Sequence, residues 1–243
     1  MKIGILETGK VPELLSEQHG DYPQMFERLL RSADPRLEFA VYHVTDGEIP
    51  HSVNECDAWL VTGSRHGVYD PLPWIEPLKG FLRDAYREGV PIVGICFGHQ
   101  ILAEALGGKA EKSDKGWGLG VQRYNVHRRP HWMTGVDGEF SLYALHQDQV
   151  TRLPEDAEVV AGSEFCPYAV LTYRDKAISI QPHPEFQPAY LRDLIEVRRS
   201  RVIPQADADA ALKSLDAPIQ TRQVARWIVR FLKERLVPGR KTA

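Results

Sequence analysis

The sequence predicts an α/β fold: an open, mostly parallel central sheet with helices on both faces and a small antiparallel layer attached. Three observations carry this. Short apolar runs alternate with amphipathic segments from residue 1 to about residue 110, the pattern of a parallel sheet covered on both sides. Strand-like segments then follow one another closely between residues 119 and 181, with no helical segment between them. Helical patterns return after residue 188.

Residues 1–6 (MKIGIL) read as the first strand, and residues 22–33 place Met25, Leu29 and Leu30 on one helical face. Residues 37–44 are strand-like and are followed by the turn signal Asp46-Gly47. Residues 58–62 (AWLVT) form a short apolar run ending at Gly63, as a buried parallel strand does. Residues 74–88 form an amphipathic helix closed by Gly89. Residues 90–95 are a second buried strand, and residues 97–106 a helix stopped by Gly107-Gly108. Strands are then expected at 119–126, 140–145, 157–162, 168–173 and 176–181, as an antiparallel layer joined to the same sheet. Helices are expected at 189–200 and 219–236. Residues 202–217, rich in Asp and Ala, read as a surface excursion that could cover the site or a subunit contact. No repeat or linker interrupts the chain, so residues 1–243 are expected to form a single domain, with about 201–243 as a C-terminal extension.

Length and composition suit this. A chain of 243 residues, 43% hydrophobic and 26% charged, has material for a substantial core. A net charge of −3 gives no reason to expect nucleic acid or an anionic membrane as partner. No apolar run reaches the ~18 residues that span a bilayer. The N-terminus lacks the pattern of a signal peptide, so a cytoplasmic location is expected. The three cysteines, Cys56, Cys96 and Cys166, are too few and scattered for a disulfide framework.

Cys96 stands apart. It lies in Gly94-Ile95-Cys96-Phe97-Gly98-His99-Gln100, between an apolar strand and a helix. That is the setting of a nucleophile elbow, with cysteine as the nucleophile. The turn is sharp, and residues two before and two after must lack side chains, or strand and helix collide; Gly94 and Gly98 occupy those places. The helix N-terminus favours thiolate, and the Phe97 N–H is placed to bind an oxyanion. A thiol nucleophile needs a base, and the base an orienting group. His183, in Gln181-Pro182-His183-Pro184-Glu185, follows a predicted strand end, where open α/β sheets place reactive groups. Glu185, two residues on, leans the same way in an extended segment and can accept the Nδ1–H. His99 is the main rival but has no carboxylate nearby in sequence, and reads as packing or support. His127 and His131 have Pro130 between them, which argues against a metal-binding helix.

These motifs resemble the class-I (triad) glutamine amidotransferase family. The resemblance runs from the first strand to about Glu185 and rests on the Cys96 segment, on Pro182-His183-Pro184-Glu185, and on Gly63-Ser64 after the strand at 58–62. It implies a flavodoxin-like arrangement, with Cys96 as nucleophile, His183 as base and Glu185 as orienter. It implies that the Gly63-Ser64 loop completes an oxyanion hole with Phe97, and that Gln100 helps hold the substrate's amino-acid end. His146-Gln147-Asp148 matches a family segment that lines the same pocket. Gly63-Ser64-Arg65-His66, Trp74-Ile75, His146-Gln147-Asp148 and Ser163-Glu164-Phe165-Cys166 are similar to a narrower branch, the γ-glutamyl peptidases. The implied chemistry is cleavage of a γ-glutamyl amide bond through a γ-glutamyl thioester, with no metal or cofactor. Two alternatives stay open: a glutaminase subunit passing ammonia to a separate synthetase, and a non-catalytic thiol redox sensor. No phosphate-binding motif is present, since Gly116-Trp117-Gly118-Leu119-Gly120 precedes a strand.

Overall fold

The computed structural model describes residues 1–236. Its strands are β1 (Lys2–Glu7), β2 (Glu38–His43), β3 (Ala58–Val61), β4 (Ile92–Ile95), β5 (Lys109–Lys112), β6 (Gly118–Val126), β7 (Glu139–His146), β8 (Asp148–Arg152), β9 (Ala157–Gly162), β10 (Val170–Tyr173) and β11 (Ala177–Ile180). Its helices are α1 (Glu13–His19), α2 (Tyr22–Arg31), α3 (Ile75–Glu88), α4 (Phe97–Ala105), α5 (Pro188–Arg198), α6 (Gln205–Ser214) and α7 (Thr221–Arg235). Among the described residues no helix is long and apolar enough to cross a membrane.

Nine strands make one sheet in the order β2-β1-β3-β4-β11-β10-β9-β6-β7. From β2 to β11 the neighbours are parallel. From β11 to β7 they are antiparallel, which is the layer expected from the closely spaced strands. Strands β5 and β8 pair separately as a two-stranded antiparallel sheet.

Alternation along the strands divides the core. Ile3, Ile5, Ala58, Leu60, Val93, Ile95, Ile178 and Ile180 pack with residues of α2 and α7 in one apolar cluster. Leu6, Trp59, Val61, Ile92 and Ala177 pack with α3 and α4 in another. Each fully buried Val, Leu or Ile among them contributes ~1.5–3 kcal/mol. Helices α2 and α3 end as their sequences direct. Asp21 and Gln24 form a capping box at the start of α2, and Gly89, at φ 77°, closes α3 in the left-handed region.

The stretch at 202–217 departs from the sequence reading. It is not a bare excursion, because α6 lies against β6 and buries Ala208 and Ala211, with Leu215 just beyond. A side chain at Gly120 would meet the Ala211 Cα at 2.9 Å and Ser214 Oγ nearer still. Helix and strand therefore approach through small residues.

The chain passes from β1 to β2 on one side and then to β3 on the other. The order thus reverses between β1 and β3, and a crevice opens beyond the carboxyl ends of those strands.

Candidate functional site

Four parallel strands deliver residues to that crevice. Thr8 and Gly9 follow β1, Thr62 and Gly63 follow β3, Cys96 follows β4, and Gln181 to Glu185 follow β11. Cys96 has φ 54° and ψ −104°, in the region L-residues avoid, at a cost of ~1–3 kcal/mol. Its N–H donates to the Ile180 carbonyl at 2.9 Å, so β11 pins the strained residue. The two flanking glycines are forced. A Cβ at Gly94 would strike the Gly98 carbonyl, and one at Gly98 would strike the Val61 carbonyl of β3. The Phe97 N–H opens α4 and has no acceptor within its own helix. The Phe97 ring is buried and packs on Trp74 with centroids 5.5 Å apart.

His183 is buried beside the thiol. Its backbone N–H donates to the Tyr143 carbonyl at 2.7 Å, fixing the loop against β7. Its Nδ1 lies 2.7 Å from Oε1 of Glu185, whose side chain is fully buried. Phe186 stacks on the ring at 3.9 Å and 6° between planes. Burial disfavours the charged imidazole, but the Glu185 carboxylate and the Cys96 sulfur outweigh it and raise the His183 pKa. The arrangement favours a proton on the ring that faces the thiol, and it can take and return a proton at sulfur.

Gly63 touches both partners. A methyl group built there would lie 3.1 Å from His183 Cε1 and 3.7 Å from Cys96 Cβ. The Gly63 carbonyl accepts hydrogen bonds from the hydroxyls of Thr8 at 3.3 Å and Thr62 at 3.2 Å. Because a trans peptide points its C=O and N–H in opposite directions, this also sets the direction of the Ser64 N–H. Gly9 packs on the same peptide, leaving 3.0 Å between a notional Cβ and the Gly63 oxygen.

A cavity of about 860 Å³ opens over the sulfur, lined by Cys96, Ser64, Gln100, His146, Gln147 and Asp148 among others. The Gln100 amide donates to the Asp148 carbonyl at 2.9 Å and to Gln181 Oε1 at 3.0 Å, joining α4 to the start of β8. His146 Nδ1 lies 3.1 Å from the Asp148 carbonyl. Burial lowers the His146 pKa to about 4, so the ring is neutral. Burial pushes the Asp148 carboxyl up, and a hydrogen bond from Tyr69 partly offsets this. The structure therefore brings Cys96, His183, Glu185, Gly63, Ser64 and Phe97 together, with Gln100, His146, Gln147 and Asp148 on one side of the cavity. His99 lies elsewhere: it is fully buried, with Nδ1 2.7 Å from Ser179 Oγ, and burial lowers its pKa to about 3. Among the described residues no group of three or more metal-ligating side chains occurs.

Sequence reasoning did not single out Thr8, Gln181 or Phe186. Phe186 directly follows the His183 motif and could have been suspected as its packing partner. Thr8 and Gln181 act across strands and left no local signal.

The thiols differ in setting. Cys56 and Cys166 are buried and do not line the cavity. Burial raises both, Cys166 to about 12. Limited iodoacetamide treatment near neutral pH is expected to label Cys96 first, as read by peptide mapping. Faster labelling of Cys56 or Cys166 would count against the elbow.

The model of the family "glutamine amidotransferase class-I" matches residues 16–195, a span that ends with the loop carrying His183 and most of the helix after it. The chain belongs to the class-I glutamine amidotransferase family. Within it, gamma-glutamyl peptidase 3 of Arabidopsis thaliana is 26% identical over 213 residues, covering 84% of this chain and 85% of that protein. A shorter segment of 101 residues is 42% identical to the glutamine-hydrolyzing GMP synthase of Aquifex aeolicus, covering 41% of this chain and 20% of that protein. The crystal structure of a glutamine amidotransferase from Thermotoga maritima superposes with a TM-score of 0.75 at 21% identity, covering 98% of both chains. The shared fold includes the β2-to-β11 parallel core on which this family member carries Cys96.

Proposed function

We propose that this chain is a cysteine hydrolase of γ-glutamyl amides that works without a synthetase. One observation carries the reading: a strained, pocket-facing Cys96 beside a buried His183–Glu185 pair. The Cys96 thiolate attacks the δ-carbonyl of the substrate, and the oxyanion is met by the N–H groups of Phe97 and Ser64. The C–N bond breaks as His183 gives its proton to the leaving amine, and a γ-glutamyl thioester remains. Water then attacks the thioester, its proton passing to His183, and the thiolate is released with glutamate. Glu185 holds the Nδ1–H throughout. The γ-glutamyl peptidases of Arabidopsis thaliana, similar along most of this chain, support the substrate class.

The purified chain is expected to turn over at least one member of a panel of glutamine, glutathione and several γ-glutamyl amides, with Cys96→Ala as blank. Activity no higher than that blank on every compound would move the reading to a glutaminase subunit that depends on a synthetase. The segment shared with GMP synthase favours that second reading. In it, a partner would align the Gly63-Ser64 loop, and one missing oxyanion donor costs ~10²–10³-fold in rate. A non-catalytic redox sensor is disfavoured, because a sensor thiol has no use for the buried His183–Glu185 pair.

A further inference from the structure

The charges around the cavity do not cancel. Among the described residues Arg65, Lys112 and Arg198 line it without an ion-pair partner, and Glu13 and Asp148 are the lining carboxylates without one. Lys112 and Asp148 are register partners across the β5–β8 ladder, and Asp148 is tied to Gln100. That side offers one positive and one negative group to the zwitterionic end of a γ-glutamyl substrate. With such an end bound, the cavity keeps a surplus positive charge among Arg65, Arg198 and Glu13.

Arg198 is the better placed of the two arginines. It is half-buried at the end of α5, while Arg65 is exposed on a loop. Its neighbours include the buried hydroxyls of Tyr22 and Tyr190, which lie 3.4 Å apart, and neither is an anion that would neutralise it. Four residues on, Val202 also lines the cavity and is 59% exposed. Both residues lie beyond the span matched by the family model. Recognition from this segment would thus come from outside the span that the family model matches.

Resting on the hydrolase reading above, we infer that Arg198 selects substrates whose leaving group carries a carboxylate, such as an amino acid or peptide released from the γ-glutamyl bond. The guanidinium binds that carboxylate by charge-assisted hydrogen bonds, a contact worth about tenfold or more in affinity. Val202 supplies an apolar contact at the rim.

The test is a binding ratio. In a Cys96→Ala background, γ-glutamylglycine and γ-glutamylglycinamide, which differ in the leaving-group carboxylate, are titrated by calorimetry. The acid is expected to bind about tenfold tighter or more. Arg198→Gln in the same background is expected to bring the ratio close to one, and Arg198→Lys to keep most of it. An unchanged ratio in Arg198→Gln overturns the assignment, even if both compounds bind more weakly, as they would if Arg198 held the glutamyl end or only supported the fold. Failure of the Cys96→Ala chain to bind either compound overturns it too. A preference lost with Arg198, in a chain that turns nothing over, would uphold the assignment and overturn the hydrolase reading. Turnover together with an unchanged ratio would do the reverse.

Discussion

Replacing His183 with alanine is expected to lower kcat by about 10⁶-fold, and Glu185→Gln by about 10⁴-fold or less, when both are measured on one substrate. The difference follows from what each group does. In the proposed mechanism His183 carries the proton between sulfur, leaving amine and water, and among the described residues no other imidazole is placed to replace it. His146 is neutral with its Nδ1 engaged at the Asp148 carbonyl, and His99 points to Ser179. In that mechanism Glu185 instead holds the tautomer and stabilises the imidazolium. A glutamine at 185 can still accept from Nδ1 through its oxygen. Its amide nitrogen would then occupy the place of Oε2, which is buried with no partner among the described residues, and a buried donor left unpaired costs ~1–3 kcal/mol. A flipped amide would donate to Nδ1 and move the ring proton to the wrong nitrogen. Because His183→Ala leaves a buried carboxylate without its partner, thermal melting should accompany the kinetics, with His183→Gln as a second variant. Activity of both His183 variants equal to that of the unsubstituted chain would sink the assignment.

Gly98→Ala is expected to destabilise the protein by about 3 kcal/mol and to remove activity even where the fold survives. The added Cβ would strike the Val61 carbonyl, with the Val61 carbonyl carbon 2.9 Å away. These are backbone atoms of a central strand, so no side chain can turn aside. Relief requires α4 to lift off β3, and that shift carries the Phe97 N–H away from the site while Gly63 stays behind. Gly80→Ala in α3 is the contrasting substitution. There the nearest atom to a new Cβ is Arg83 Nη2 at 3.9 Å, and replacing a mid-helix glycine is expected to stabilise by ~0.5–1 kcal/mol. Denaturant midpoints of the two variants decide the matter, and a Gly98→Ala protein as stable and active as the parent would remove the steric argument for the elbow.

What the sequence disclosed and what it withheld divide along physical lines. The elbow was legible because all its requirements are local: an apolar strand, two glycines at fixed spacing and a helix. The His183–Glu185 pair was legible because residues two apart in extended backbone point the same way. The inner parallel strands β1, β3 and β4 announced themselves as apolar runs, since both their faces are covered. Four elements gave no such signal, the first being helix α1 (ELLSEQH), which is short and buries only Leu15. Strands β5 (KAEK) and β8 (DQVTR) are short and polar, and exist as strands because they pair with each other. Helix α6 (QADADAALKS) turns two small residues, Ala208 and Ala211, to the core, so it lacks the periodic large residues that mark an amphipathic helix. The partner that makes this sufficient, Gly120, lies on a strand far away in sequence. Thr8 escaped notice for the same reason. Its hydroxyl serves the Gly63 carbonyl from a neighbouring strand, and pattern reading along one segment does not see across the sheet.

The hydrogen bond from the Cys96 N–H to the Ile180 carbonyl, noted above as the pin of the strained turn, also sets an order of events in synthesis. The strand before Cys96, β4, leaves the ribosome long before β11, and the two are joined by a pairing that is non-local in sequence. Such contacts form late, after the entropy of closing a long loop has been met. A nascent chain that has emerged only through α4 therefore has Cys96 with neither the carbonyl that holds its turn nor the His183 imidazole beside it. Under the proposed mechanism, reactivity arrives in one step, when β11 docks beside β4 and brings both at once.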